Sequence, residues 1–266
     1  MTDYIRLDYW DLALAAALLL GVAGLSLALQ LRIEKKLLIA GLRCALQLAL
    51  VGLVLTKLFE AVSPWWTGLA ALAMILFAGR EIMARQERGF QPVWAYGIGT
   101  SAMLMAAALV TVFALTTQIK ADPWYDPRYA LPLLGMILGN TMTGIALGLQ
   151  RLTEGARQQR PGIEALLCLG ATRRTALLPV TRQALTTALM PIINSLAATG
   201  LVSLPGMMTG QILAGVEPLE AVKYQLMIMF MIAGGTTLGA VTAVFVGLYR
   251  LTDNRDRLRL DRLVGE

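Results

Sequence analysis

Four polar side chains lie within long apolar stretches of the sequence, where a hydrogen-bonding group could contact a substrate. Arg43 and Gln47 are four residues apart and would share one face of a helix. Asn140 and Asn194 lie in two later apolar stretches. Polar groups in such surroundings are costly and usually face protein or water. These four residues are therefore candidates for contact with a substrate on its pathway.

A structural role is the alternative for each of these side chains. Arg43 is about six residues from one end of its stretch, a distance from which a guanidinium can extend to the membrane surface. Gln47 lies deeper and is uncharged, so we expect it to bond across helices. Asn140 would join two packed helices by a hydrogen bond. The sequence leaves both interpretations open.

The residues that most enzymes and tight metal sites use are scarce. The 266 residues include no histidine, and the two cysteines, Cys44 and Cys168, form no pattern. A phosphate-binding loop of the G-x-x-x-x-G-K-[ST] type is absent from the sequence. We therefore expect no catalysis and no bound cofactor in this chain, so that ATP and Mg²⁺ would act on a partner subunit.

Methionines are the remaining candidates for metal contact. Met207 and Met208 are adjacent, and Met227, Met229 and Met231 follow. Thioethers suit Cu(I) better than iron, and methionine also fills irregular apolar gaps. The sequence therefore supports no confident metal site.

The amino-acid composition indicates whether these residues lie in a membrane or in water. The chain is 57% hydrophobic and 15% charged, with a mean hydropathy of +0.64, whereas soluble domains are about 25% charged. Several runs approach the roughly 20 apolar residues that cross a bilayer as a helix. They predict an all-α, polytopic membrane helix bundle that forms a single domain over residues 1–266. About seven transmembrane helices are expected, at 12–31, 37–59, 62–79, 93–119, 130–149, 180–204 and 221–249.

The basic residues alternate between successive loops. Of the 23 Lys and Arg residues, 17 lie in 32–36, 80–91, 150–182 and the basic tail 250–266. Basic loops are retained in the cytoplasm, so we expect the N-terminus outside and the C-terminus inside. An odd number of spans satisfies this orientation. The positive charge then reflects topology and contact with anionic lipid, and no nucleic-acid partner is expected.

The segment 154–178 is the longest predicted cytoplasmic connection. Residues 163–179 read IEALLCLGATRRTALLP, in which an apolar helical face ends at Gly170, a residue suited to a helix C-terminus. A second helix follows and leads into the sixth span. The first helix either lies in the membrane interface or docks into a partner protein.

The stretch 200–215, GLVSLPGMMTGQILAG, is uncharged yet rich in glycine. Irregular backbone in lipid persists only where protein or a water-filled cavity satisfies it. We expect Pro191 to interrupt the sixth span, and 204–218 to form a turn and a short buried or re-entrant helix. This element would gate the outer end of a pathway, or else merely plug the bundle. The gate candidates are Pro205, Gly206, Met207, Met208, Gly210 and Gln211.

These motifs carry two resemblances. The segment around 164–179 resembles the coupling segment of ABC permeases, in which a cytoplasmic helix docks on an ATPase. Together with 42–55, 133–149 and 200–225, the chain resembles the permease family of the bacterial iron exporter FetAB, which includes plant aluminium-tolerance permeases. The first resemblance implies ATPase-coupling roles for Glu164, Ala165, Gly170, Ala171, Arg173 and Pro179.

The second resemblance implies a half-transporter in which two permease copies join two separate ATPase subunits in the bacterial inner membrane. It implies iron efflux in bacteria, whereas the plant relatives are associated with nucleotide sugars. A secondary transporter and a membrane scaffold are the competing classes. Proton-coupled transporters usually carry an intramembrane acid, and no Asp or Glu lies inside any predicted span.

Overall fold

The structure is a computed structural model that describes residues 8–86, 89–253 and 255–264. Within these ranges the chain is almost entirely helical, and β-structure is limited to isolated bridges. The chain forms two compact units, residues 1–61 and 62–266. The predicted all-α helix bundle is confirmed, and the single domain stays a prediction.

The first unit is a hairpin of two long helices, α1 (Tyr9–Ala28) and α2 (Glu34–Ala61). The connecting turn is tight, and Arg32 is left-handed within it. The buried hydroxyl of Ser26 donates to Glu34 Oε2 at 3.1 Å and accepts from the amide of Ile33 at 3.3 Å. These bonds satisfy polar groups at the start of α2, where a helix leaves its first amides without internal partners.

The second unit contains the remaining helices. A proline lies at the first or second position of six of them, where its fixed φ favours the helix and its missing N–H costs nothing. The helices are α3 (Pro64–Ala84), α4 (Pro92–Phe113) with a π-helical extension (Ala114–Ile119), α5 (Pro127–Gln158), α6 (Arg160–Cys168), α7 (Arg173–Ala176), α8 (Leu178–Ala198), α9 (Gly206–Leu213) and α10 (Pro218–Leu251).

Small residues bring α5 close to α8 and α10. A Cβ at Gly144 would lie 2.8 Å from Thr236 Cγ2 and 3.3 Å from the carbonyl of Ala188. A Cβ at Gly148 would lie 3.2 Å from Ala188 Cβ. Glycines four residues apart in an apolar helix predict such close packing, and Gly144 and Gly148 confirm the prediction. The earlier pair in α5, Gly135 and Gly139, leads to the same prediction, which is wrong for Gly139 because a Cβ there would meet nothing within 4 Å.

The contacts at glycines also give the helix directions. Gly79, late in α3, lies against Thr100, early in α4, and Gly155, late in α5, lies against Val180, early in α8. Both helix pairs are therefore antiparallel. Successive residues of α5 meet successive residues of α10, which makes that pair parallel. Helices α3, α5 and α10 therefore run one way, and α4 and α8 run the other. The basic segments 80–86, 89–91, 150–182, 250–253 and 255–264 consequently share one end of this unit, here named the basic end.

Six helices in the described ranges are long and apolar enough to cross a membrane, counting α4 with its π-helical extension. The sixth predicted span, 180–204, corresponds to the 21-residue α8, which is not among the six. The seven-span count and the orientation stay predictions. Pro191 does not interrupt this span, because α8 continues through it to Ala198. Proline is tolerated in a membrane helix when neighbouring groups satisfy the freed carbonyl.

Candidate functional site

The predicted coupling segment folds as a helix, a turn and a second short helix at the basic end. Helix α6 ends at Cys168, and Gly170 is left-handed with φ +86°. The amide of Gly170 donates to the carbonyl of Leu167, and the amide of Ala171 donates to that of Leu166, both at 3.0 Å. This pair of bonds is a Schellman motif. The helix end predicted at Gly170 is therefore confirmed.

One face of α6 packs on the bundle and the other is open. Ile163 is buried, and Glu164 pairs with Arg160 at 2.9 Å. Ala165 and Leu166 are exposed, and Leu169 is 84% exposed beside the turn. Exposed apolar groups at the polar end of a membrane protein favour docking to another protein.

The turn continues into α7, whose side chains tie it to α10 and the tail. Thr172 caps α7 by accepting from the amide of Thr175. Arg173 pairs with Asp256 at 3.2 Å, and Arg174 donates to the Tyr249 hydroxyl at 2.6 Å. That hydrogen bond raises the pKa of Arg174. Pro179 then occupies the first turn of α8, which makes the turn continuous with a bundle helix.

The basic tail is folded onto the bundle. Phe90 and Leu263 form an antiparallel bridge, and the amide of Val264 donates to the carbonyl of Gly89 at 2.9 Å. Arg157 of α5 donates to the Val264 carbonyl at 2.7 Å. Leu260 is buried, as Leu263 is. The apolar residues spaced through this charged tail are the sequence feature that would have predicted its packing on the bundle.

Asp253 organises the loop that begins this tail. It accepts from the amides of Arg255 and Arg257 and from the Arg257 side chain. The backbone hydrogen bond from Arg257 is the main cause that lowers the pKa of Asp253 to about 2. The loop therefore carries a fully ionised carboxylate at neutral pH.

A polar cavity of about 750 Å³ opens at the basic end between α3 and α5. Charged side chains of both signs line it, so it suits water or ions better than an apolar ligand. Its lining comprises Ala84, Arg85, Gln86, Gly89, Gln150, Thr153, Glu154, Arg157 and Gln158.

The four predicted pathway residues lie on three helices. Arg43 and Gln47 share a face of α2 in the first unit, where Arg43 is half-buried and Gln47 is exposed. In the second unit, the antiparallel register of α5 and α8 places Asn140 and Asn194 near the same level. Both asparagines are exposed.

Asn140 does not join two helices. Its side-chain amide donates to the carbonyl of Met136, one turn earlier in α5, at 2.9 Å. The predicted packing role is therefore wrong, because a local carbonyl satisfies the donor before another helix does. The pathway role of Asn140 stays a prediction.

Other polar side chains are buried where the sequence analysis named none. Thr141 is fully buried against Gly235 and Gly239, and Gln225 and Thr236 of α10 are also buried. Gln225 Oε1 and both threonine hydroxyls lack a hydrogen-bond partner among the described residues. Gln225 could have been predicted in the same way as Gln47, because each is an isolated amide side chain in an apolar stretch.

The predicted gate contains a short helix at the end opposite the basic end. Helix α9 spans Gly206–Leu213 after Pro205 and packs against α10. None of its residues is buried, so the prediction of a buried helix is wrong. Met208, Gln211 and Ile212 form its half-buried side, whereas Met207 and Leu213 are exposed. The glycines and the prolines around α9 explain its short length, and a re-entrant position stays a prediction.

A gate needs a flexible hinge, and Gly206 and Gly210 are the hinge positions that the sequence of this segment predicts. Gly206 and Gly210 are helical, and a Cβ at either would meet nothing within 4 Å. The conformation therefore gives no reason for glycine at these two positions. Gly200 and Gly215, which flank α9, are left-handed with φ +96° and +90°. The glycines that the backbone requires are thus Gly200 and Gly215, which flank α9 and are not among the gate candidates.

In the described ranges, no group of three or more Cys, Asp and Glu side chains is placed to hold a metal ion. Met207 and Met208 of α9 are adjacent on the helix, and both are partly exposed.

Comparison with known proteins gives consistent matches over almost the whole chain. A model described as Uncharacterised protein family (UPF0014) matches residues 9–252. The chain is 38% identical to the UPF0014 membrane protein slr1647 of Synechocystis, over 92% of this chain and 94% of that protein. It is 34% identical to Protein ALUMINUM SENSITIVE 3 of Arabidopsis thaliana, over 88% and 84%. It is 30% identical to the Probable iron export permease protein FetB of Escherichia coli, over 95% of each. No solved structure matches.

Proposed function

Since this chain belongs to the UPF0014 family of membrane proteins, we propose that it is the transmembrane permease subunit of an ABC-type exporter. Its resemblance to the FetB-type permeases is confirmed by the relatives. In the proposal, the chain forms the pathway as a pair of copies in the bacterial inner membrane. A separate subunit hydrolyses ATP, and this chain catalyses no reaction itself.

The turn between α6 and α7 is the observation that carries this proposal. It presents exposed Leu166 and Leu169, while Arg173 and Arg174 attach it to the tail and to α10. A docking surface must be open toward its partner and stiff toward the element that it moves. This turn meets both requirements, because its apolar side is open and its basic side is anchored.

Iron is the substrate that we propose, because a relative that this chain matches over 95% of each protein is named a probable iron export permease. Acidic and cysteine side chains do not gather into a metal site in the described ranges. Weak binding suits export, since a cargo must leave as readily as it enters. A nucleotide sugar is the second candidate cargo, because the resemblance to the plant permeases implies it; one plant relative is named for aluminium sensitivity.

The first experiment isolates the chain from host membranes and identifies co-purifying proteins by mass spectrometry. We expect an ABC ATPase in about equal amount. Leu169→Asp should remove it, because an exposed docking leucine becomes charged. Leu201→Asp is the matched control, since Leu201 is 96% exposed at the opposite end. Equal loss in both variants, or no ATPase with the unchanged chain, would contradict the proposal.

The second experiment addresses cargo and energy. Vesicles that contain the permease and its ATPase should move ferrous or ferric iron only when ATP and Mg²⁺ are supplied. Transport driven by a proton gradient without the ATPase would establish the secondary transporter instead. Movement of a uridine diphosphate sugar, with no movement of iron, would keep the ABC mechanism and replace the cargo.

A further inference from the structure

A second site lies at the basic end, beside α4 and the end of α10. The guanidinium of Arg250 lies over the ring of Trp94, 3.8 Å from the centroid. A cavity of about 360 Å³ adjoins this pair, and Ile98 and Val246 form its apolar side. Its polar side consists of Tyr249, Arg250, Thr252, Asp253 and Arg262.

The nearby carboxylates are already engaged by other arginines. Asp253 pairs with Arg257 at 2.8 Å, and Asp261 pairs with Arg259 at 2.8 Å. The third, Asp256, pairs with Arg173. The described residues therefore leave Arg250 without a carboxylate partner, and its Nε is buried without a hydrogen bond among them.

Arg262 brings a second positive charge to the same cavity. One of its terminal nitrogens donates to the carbonyls of Arg250 at 2.8 Å and Thr252 at 3.1 Å. These carbonyls terminate α10, so the contact fixes the guanidinium at the helix C-terminus. Two held guanidiniums with no described carboxylate of their own favour an anion, and arginine forks match phosphate geometry.

The apolar side of the cavity indicates where that phosphate comes from. Val246 and Phe245 are exposed one turn before Arg250, toward the middle of α10. A lipid whose headgroup meets Arg250 would lay its acyl chains along these residues. An aromatic ring at this depth is typical of the membrane interface.

We propose that this cavity binds the phosphate headgroup of an anionic phospholipid at the basic end of the bundle. The site shares Tyr249 with the anchor of the coupling turn, since Arg174 donates to the Tyr249 hydroxyl. The proposal does not depend on the identity of the cargo. It gives the bundle a specific lipid contact at the ends of α4 and α10.

The test measures lipid binding to the purified full chain in detergent by native mass spectrometry. Phosphatidylglycerol should bind saturably and about fivefold or more tightly than phosphatidylcholine, as expected for one arginine at a membrane surface. Arg250→Gln should remove this preference. Arg255→Gln, which removes the same charge from an exposed side chain in the same tail, should keep it.

A second variant covers the case in which Arg250→Gln does not fold. Val246→Glu leaves both arginines in place and adds a negative charge to an exposed position of the cavity, so it should also weaken phosphatidylglycerol binding. Equal loss in Arg250→Gln and Arg255→Gln would show a diffuse charge effect and overturn the proposal. Displacement of the lipid by millimolar inorganic phosphate would assign the site to a free anion, and unchanged binding in Val246→Glu would place the lipid elsewhere.

Discussion

Helices α6 and α9 end in the same backbone turn, and their surroundings differ. Each is followed by a left-handed glycine, Gly170 or Gly215, and each turn is closed by two hydrogen bonds back into the helix. Around Gly170, charged side chains attach the next helix to α10 and the tail. Around Gly215, the flanking segments are largely apolar and exposed, including Leu201 and Leu213.

The same left-handed glycine turn therefore has different roles at the ends of α6 and α9. A left-handed glycine fixes the direction of the chain wherever it occurs. Ion pairs and hydrogen bonds then decide whether the turned segment moves with the bundle or apart from it. We infer that the turn at Gly170 transmits force to the bundle through its charged anchors, whereas α9 contacts the bundle through its packing on α10.

The largest effect is expected for Gly170→Leu. A left-handed side-chain residue costs about 1–2 kcal/mol, and here it would distort the turn that presents Leu169. ATPase co-purification should fall by roughly tenfold while the protein still inserts into the membrane. Gly162→Leu is the control, since Gly162 is helical in α6 and a Cβ there meets nothing within 4 Å. Unchanged co-purification with Gly170→Leu would remove the coupling assignment.

A smaller effect is expected at the opposite end for Gly215→Val. A β-branched residue is strongly disfavoured at a positive φ, so transport should fall severalfold while ATPase binding is retained. Gly206→Val should transport almost normally, because Gly206 is helical and has free space around it. The opposite order in a vesicle transport assay would return the hinge to Gly206.

A still smaller effect separates packing from metal binding at Met208. The side chain is half-buried on α9, so Met208→Leu keeps its volume and should leave transport unchanged. Met208→Ala removes packing and should reduce transport modestly. A thioether ligand predicts the reverse for leucine, since the sulfur would be lost. Abolished iron transport in Met208→Leu would therefore establish a metal role.

The smallest effect concerns pH at the tail. The folded pKa of Asp253, about 2, lies below its ordinary value of 3.8. Its stabilisation of the loop is thus complete above the unfolded pKa and is lost as pH falls through the folded one. We expect hydrogen–deuterium exchange of the loop amides, relative to an unfolded peptide of the same sequence at the same pH, to rise between about pH 4 and pH 2. In Asp253→Asn these amides should exchange rapidly at both about pH 4 and about pH 2.

Much of this architecture could be predicted because long apolar runs predict membrane-spanning helices. The Schellman end at Gly170 and the packing at Gly144 and Gly148 were also predictable, since glycine has specific uses at helix ends and contacts. The length of α5 was not predictable from the sequence. Hydropathy predicts the part of a helix that contacts lipid, whereas α5 continues beyond that part because Leu152 and Ala156 are buried against protein. Polarity alone also did not show whether Asn140 bonds locally or across helices.

The length of α5 has a mechanical consequence. Its 32 residues extend about 48 Å, whereas the hydrocarbon core of a bilayer is about 30 Å thick. The helix therefore projects well past the lipid, with α6 attached to its far end. Gly144 and Gly148 lie near the middle, where α8 and α10 hold it closely. A rocking motion of about 10° about that fulcrum would move the α6 end by roughly 3 Å and the other end by roughly 5 Å in the opposite direction. In the proposed exporter, this helix would link the ATPase-docking turn to the far side of the membrane.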